Sequence, residues 1–139
     1  MARVLFSLFL LSNLFFTSAA NAQGRWLKLA PFPEPAEELL GASADGKLYI
    51  TGGEYQEPGM TATFRSLEAC DPAANAWQTL QPMPVSRHGL AGAVVGNRLH
   101  MVSGDVQSAG TGVHVHTDSH DAYDFGSDKK QRRSQRSDG

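Results

Sequence analysis

Three histidines in the last third of the chain have a spacing that suits a transition-metal ion. His114 and His116 are two positions apart and therefore share one face of a strand, and His120 follows four residues later. Imidazole nitrogen is a good ligand for Zn²⁺ and Cu²⁺. The valines that alternate with the histidines also fit a half-exposed strand whose histidines face solvent. We therefore predict no cofactor, with Zn²⁺ or Cu²⁺ at His114, His116 and His120 as the alternative.

Four further residues have side chains suited to a ligand-binding loop surface. Glu54 and Tyr55 follow one predicted strand, and Asp105 follows the matching strand later in the chain. Arg87 precedes a strand of small residues, where its guanidinium is either an anion-binding group or a buried hydrogen-bonding fork between strands. Carboxylates and an arginine at loop ends could serve as acid, base or anion-binding groups. No catalytic residue can be assigned from this pattern.

The elements that must position these residues occur twice in the chain. Trp26 and Trp77, Gly41 and Gly92, and Gly53 and Gly104 are each 51 residues apart, and prolines and apolar residues between them keep the same register. The copies span about 26–76 and 77–127. A period of this length is typical of repeat architectures and propellers.

Each copy is predicted to form short strands. An Asp45-Gly46 turn joins 39–44 to 47–51, and Gly96-Asn97 occupies the same place in the second copy; such pairs favour type I′ hairpin turns. A third strand is predicted over Met60–Cys70 and a fourth over 77–80. Such a four-stranded antiparallel meander has apolar residues on both faces, which stacking of copies around an axis would cover.

Several motifs resemble the kelch repeat. They are Gly52-Gly53, Asp71-Pro72-x-x-Asn75-x-Trp77, Leu80-x-x-Met83-Pro84 and Pro84-x-x-Arg87, with Gly104 repeating the second glycine. The resemblance implies an all-β fold of kelch-type β-propeller blades. It also implies that Trp26 and Trp77 lie on outermost strands and pack against the next blade.

The second copy departs from this pattern near its end. A tryptophan is due near Lys130, but 128–136 contains no apolar residue, so the fourth strand is missing. We interpret the chain as an incomplete propeller of about two blades, the N-terminal part of a longer propeller truncated or frameshifted near Phe125. Residues 26–29 would be the strand that completes the last blade. Further blades would come from the same longer chain or, alternatively, from other subunits.

Both ends of the chain differ from the repeats in composition. Residues 1–22 carry Arg3, an apolar run and Ala20-Asn21-Ala22, and are predicted to be a signal peptide cleaved before Gln23. The propeller fragment would then be 23–127, with no membrane span after cleavage and a secreted or periplasmic location. Residues 128–139 are predicted to be a basic, disordered tail. The fragment has 6 basic and 12 acidic residues, which argues against a nucleic-acid partner.

The sequence indicates a function only in general terms. We expect an exported binding or interaction module whose loops bind a protein or carbohydrate ligand. Secreted kelch proteins also include the sialic acid mutarotase, N-acetylneuraminate epimerase. The alternative is therefore a fragment of a carbohydrate-active enzyme of that kind, an isomerase, although the non-enzymatic interpretation is favoured.

Overall fold

The computed structural model describes residues 24–57, 60–107 and 112–127, so the predicted signal peptide and tail lie outside the described residues. The described residues form antiparallel sheets, which confirms the predicted all-β fold of kelch-type blades. The strands are β1 (Leu40–Ala44), β2 (Lys47–Thr51), β3 (Glu54–Glu57), β4 (Met60–Thr63), β5 (Leu67–Asp71), β6 (Ala76–Thr79), β7 (Ala91–Val95), β8 (Arg98–Val102), β9 (Asp105–Gln107), β10 (His114–His116) and β11 (His120–Asp124).

The first blade is a four-stranded sheet with the order β1-β2-β5-β6. Its first turn has φ of 49° at Asp45 and 73° at Gly46, the positive values that the type I′ prediction requires. Its last turn is closed by the carboxylate of Asp71, which accepts from the backbone N–H groups of Ala73 and Ala74 at 3.0 and 3.3 Å. Local turn chemistry therefore fixes the register of this meander at both ends.

Among the described residues, the second blade has three strands in the order β11-β8-β7. Strands β7 and β8 follow β1 and β2 by 51 residues, and β11 follows β5 by 53. Strand β11 pairs with β8 on one side. The second turn differs from the prediction, because Gly96 has a positive φ of 59° and Asn97 does not.

The predicted third strand over Met60–Cys70 is wrong, because two separate strands occupy it. Strand β4 pairs with β3 in a small hairpin, and β5 pairs with β2 in the blade. The chain leaves the sheet at Gly52 and Gly53, which have φ of 68° and 100°. Ser103 and Gly104 adopt the same conformation, with φ of 60° and 95°, and lead into the matching β9/β10 hairpin.

The core lies between the two blades. The rings of Tyr49 on β2 and Phe125 after β11 have centroids 4.7 Å apart. Leu40 on β1 lies against Gly92 on β7, where a Cβ would come within 2.6 Å of the leucine Cδ2. Burying these apolar groups accounts for the stacking of one blade on the other. The buried apolar residues that form this core cluster are Leu40, Tyr49, Leu67, Ala69, Leu80, Met83, Leu99, Met101, Tyr123 and Phe125.

The two tryptophans do not pack as the resemblance implied. Trp77 lies on the outermost strand β6, but its ring packs edge-on against Phe32, with centroids 5.1 Å apart, and its indole N–H donates to the carbonyl of Ala30. Trp26 is fully exposed and belongs to no described strand. A strand needs a neighbour to share backbone hydrogen bonds, and none of the described strands pairs with 26–29.

Candidate functional site

The predicted ligand-binding residues gather at one end of the blades. In the first blade, the start of β1 pairs with the end of β2, and the end of β2 pairs with the start of β5. The connectors that precede β1 and β7 therefore meet the β3/β4 and β9/β10 hairpins at one end, which we call the loop end. Backbone bridges between Glu37 and Glu54, and between His88 and Asp105, join connector to hairpin in each copy.

Arg87 lies at the loop end but is fully buried. One terminal nitrogen, Nη1, donates to the carbonyls of Ser103 and Ser119 at 2.9 and 3.3 Å. The other, Nη2, donates to Asp121 Oδ2 at 2.5 Å. The guanidinium thus acts as a fork that joins the connector to β8 and β11, the structural alternative in the sequence analysis. It has no surface left for an external anion.

A cluster of ionisable side chains lies where the two blades meet, and we call Glu38, Glu54, His88 and His114 the His88 cluster. His88 Nδ1 is 2.7 Å from Glu38 Oε2 and 3.7 Å from Glu54 Oε1. His88 Nε2 is 2.6 Å from His114 Nδ1, and their rings are edge-on. The four residues come from four elements: the connectors before β1 and β7, strand β3 and strand β10.

Glu54 is the most buried carboxylate of the cluster, with a side chain 5% exposed. Its Oε1 accepts a hydrogen bond from Gln56 Nε2 at 2.7 Å. Its Oε2 is buried without a hydrogen-bond partner among the described residues, and lies 3.9 Å from His114 Nε2. A buried carboxylate oxygen without a donor is costly, so this atom suits a cationic ligand.

The structure does not bring together the three histidines predicted to share a metal. His114 belongs to the His88 cluster, whereas His116 is exposed and hydrogen-bonds Asp105. His120 lies on β11, with its Nε2 3.0 Å from His100 Nδ1. Among the described residues, the group whose ligand atoms lie within 4.8 Å of one another is Glu54, His88 and His114.

Tyr55 lines a cavity of about 240 Å³. A hydrogen bond to Glu57 raises the pKa of the Tyr55 hydroxyl above its ordinary value, so this group is a hydrogen-bond donor at neutral pH. Its neighbour Glu54 faces the His88 cluster and also lines this cavity. The cavity residues are Pro35, Ala36, Glu37, Glu54, Tyr55 and Gln56.

Two residues of the cluster, Glu38 and His88, were not among the predicted site residues. Glu38 has a left-handed backbone with φ of 55°, and Gly89, which is 51 residues later, has the same conformation with φ of 62°. Glycine is the residue that adopts this conformation without strain. A glutamate at the position where the other copy has glycine is therefore a signal, visible in the aligned repeats, that the Glu38 side chain has a role.

The architecture and the site define a class of protein, a pair of kelch-type propeller blades that present charged loops at one end. No family model matches the chain. It is 29% identical to Kelch-like protein 15 of Gallus gallus over 87 residues, covering 63% of this chain and 17% of that protein. It is 30% identical to Kelch-like protein 25 of Homo sapiens over 81 residues, covering 58% of this chain and 13% of that protein. These similarities support the kelch-repeat family.

A solved structure supports the same conclusion. The structure of YjhT matches with a TM-score of 0.54 and 29% sequence identity, over 60% of this chain and 25% of that one. The chain thus spans less than a fifth of the two curated relatives and a quarter of the solved structure. No helix within the described residues is long and apolar enough to cross a membrane.

Proposed function

We propose that the chain is a kelch-repeat interaction module that binds a protein through its loop end. The similarity to Kelch-like proteins supports an interaction module, and the loop end supplies a surface for it. Loops carried on a rigid scaffold are where binding residues concentrate. The glycan ligand, the carbohydrate-active enzyme, export and the truncation of a longer propeller stay predictions.

The charge of the loop end indicates the kind of protein it would bind. Its exposed charged groups include the carboxylates of Glu37, Glu38, Glu57 and Asp118, against the guanidinium of Arg65. At the opposite end, the carboxylates of Asp45, Asp71 and Asp124 are partly balanced by Lys47 and by Arg98, whose guanidinium lies 3.2 Å from Asp124. The unequal charge of the two ends is the observation that carries the proposal, because it favours a basic segment of a partner at the loop end.

Selection from a peptide display library, followed by fluorescence anisotropy of the selected peptides, tests this proposal. We expect the peptides to be rich in lysine and arginine, and to bind more weakly as salt rises, because the charges are exposed. Glu37→Gln and Glu57→Gln should each weaken binding by about threefold, roughly the effect of one exposed charge pair.

The matched control is Asp45→Asn, which removes one charge at the opposite end and keeps a residue that tolerates the positive φ of this turn. It should leave binding unchanged. Selected peptides that are not basic, or an equal loss in Asp45→Asn, would count against the loop end as the binding surface.

A further inference from the structure

The His88 cluster has the composition of a metal site. Glu54, His88 and His114 each offer one ligand atom, and these atoms lie within 4.8 Å of one another. We propose that these three residues bind a divalent transition-metal ion, Zn²⁺ by preference, at the junction of the two blades. Glu38 would be a positioning residue that acts through His88.

The hydrogen bond between Glu38 and His88 prepares one nitrogen for the metal. Because a carboxylate accepts hydrogen bonds, the 2.7 Å contact with Glu38 Oε2 places the proton of a neutral His88 on Nδ1. The lone pair is then on Nε2, which points toward His114. A carboxylate that orients a histidine in this way is the usual support of a metal-binding imidazole.

Glu54 provides the second, independent indication of a ligand. Its side chain is more than nine-tenths buried, and Oε2 has no hydrogen-bond donor among the described residues. A metal cation beside Oε2 would neutralise the carboxylate and fill this vacant acceptor position. His114 is partly exposed, with 28% of its side chain accessible, so the ion could enter from solvent.

The donor set selects the class of metal. Two imidazole nitrogens and one carboxylate oxygen suit Zn²⁺, whereas Ca²⁺ and Mg²⁺ prefer ligand sets made of oxygen. The 2.6 Å separation of His88 Nε2 and His114 Nδ1 is the length of a hydrogen bond with one proton between the rings. Zn²⁺ would take the place of that proton, which would move to Nε2 of His114 so that the ring stays a neutral imidazole. The two ligand nitrogens would then separate to about 3.3 Å, the spacing of two ligands in a tetrahedral site.

Zinc titration of the metal-free purified chain against a fluorescent zinc indicator tests the proposal. We expect one equivalent to bind, and Glu54→Gln and His114→Ala each to weaken the affinity at least tenfold. The matched control His116→Ala removes a histidine that lies on β10, two positions after His114. A second control, His120→Ala, removes the histidine that lies against His100. Both should change the affinity by less than twofold.

The variant Glu38→Gly separates a positioning role from a structural one. It removes the carboxylate from a left-handed position, where glycine is favoured, so the fold should melt no earlier than the parent. Zinc affinity should nevertheless fall about tenfold or more, as expected when an outer carboxylate is lost. Circular dichroism of every variant shows whether the fold is kept.

The proposal is overturned if the parent chain binds no zinc at micromolar concentration, or if folded Glu54→Gln binds as tightly as the parent. It is also overturned if His116→Ala or His120→Ala weakens binding as much as His114→Ala. The outcome is independent of the peptide-binding result, because it is measured with the metal alone.

Discussion

Arg87 donates a 2.5 Å hydrogen bond to Asp121 from a position with no exposed surface. Arg87 lies in the connector that follows the first blade, and Asp121 lies on β11, the third strand of the second blade. The ion pair therefore ties the point where the chain enters the second blade to the strand at that blade's edge. Both residues belong to the second copy and are 34 positions apart, so the pair forms only when the beginning of that copy meets its last described strand.

Replacing Arg87 should destabilise the protein strongly. Arg87→Leu leaves the carbonyls of Ser103 and Ser119 and the carboxylate of Asp121 without their donor. We expect the free energy of unfolding to fall by about 3 kcal/mol, the usual cost of breaking a buried ion pair by removing one partner. Urea unfolding followed by tryptophan fluorescence measures the change.

Arg98→Leu is the control for this prediction. Arg98 pairs with Asp124 in a bridge whose side chains are 60% and 43% exposed, and such pairs contribute less than about 1 kcal/mol. Similar losses in the two variants would show that burial of Arg87 does not strengthen its interactions as argued.

Glu68 should make the protein more stable in mild acid than at neutral pH. Burial raises the pKa of Glu68, the hydroxyl of Thr79 partly opposes this, and the charge of Glu34 adds to it. The folded state therefore binds the proton more tightly than the unfolded state. The penalty on the ionised form is present above the folded pKa and disappears as pH falls below the unfolded value.

Glu68→Gln should accordingly stabilise the protein at pH 7, by on the order of 1 kcal/mol, because it removes the negative charge that burial penalises. The advantage over the parent should vanish near pH 4. Melting temperatures of both proteins across this range test the prediction, and a constant difference at all pH values would contradict it.

Asp124 should show the opposite pH dependence. The backbone N–H of Gly126 and the guanidinium of Arg98 both donate to its carboxylate and lower the pKa of Asp124. This contribution to stability is present above the unfolded pKa and is lost as pH falls through the folded pKa. Asp124→Asn should therefore lower the melting temperature at pH 7, and the deficit should shrink in acid. If the melting temperature of Asp124→Asn fell further below that of the parent in acid, the predicted direction of the pKa shift would be wrong.

Gly53 should tolerate alanine much less well than Gly46. Both have positive φ, but a Cβ at Gly46 meets no atom within 4 Å, whereas one at Gly53 would lie 2.8 Å from the backbone oxygen of Glu37. We expect Gly46→Ala to cost about 1 kcal/mol of backbone strain, and Gly53→Ala about 3 kcal/mol because the chain must also shift. Chemical denaturation of the two variants gives the comparison, and equal costs would rule out the steric contribution.

The blade strands could largely be predicted because their signals are local. The Asp45-Gly46 turn and the alternation of residues in β2 specify a hairpin within 12 residues of sequence. The division between β4 and β5 could not be predicted in the same way. It depends on the backbone N–H of Phe64 donating to Gly53, and that of Gly52 donating to Ser66, contacts that no local pattern encodes.

The candidate site could be predicted only in part, because it too depends on contacts between residues that are far apart in the sequence. His114 was identified from its spacing to His116, but its partners in the structure come from elsewhere in the chain. His88 lies 26 residues before it, and Glu38 lies 50 residues before His88. These side chains meet because one blade packs on the next, and the offset between blades depends on core packing. The spacing of residues along one strand therefore predicted His116 as a metal ligand, whereas in the structure it hydrogen-bonds Asp105.

Gly92 differs from the glycines of the turns, because its backbone φ is not positive. It is required for space, since a Cβ would lie 2.5 Å from the carbonyl oxygen of His100 and 2.6 Å from Leu40 of the first blade. Because Gly92 has a hydrogen atom in place of a side chain, strand β7 can lie close to strand β1. Even a methyl group at Gly92 would therefore push β7 away from β1 and widen the angle between these two blades.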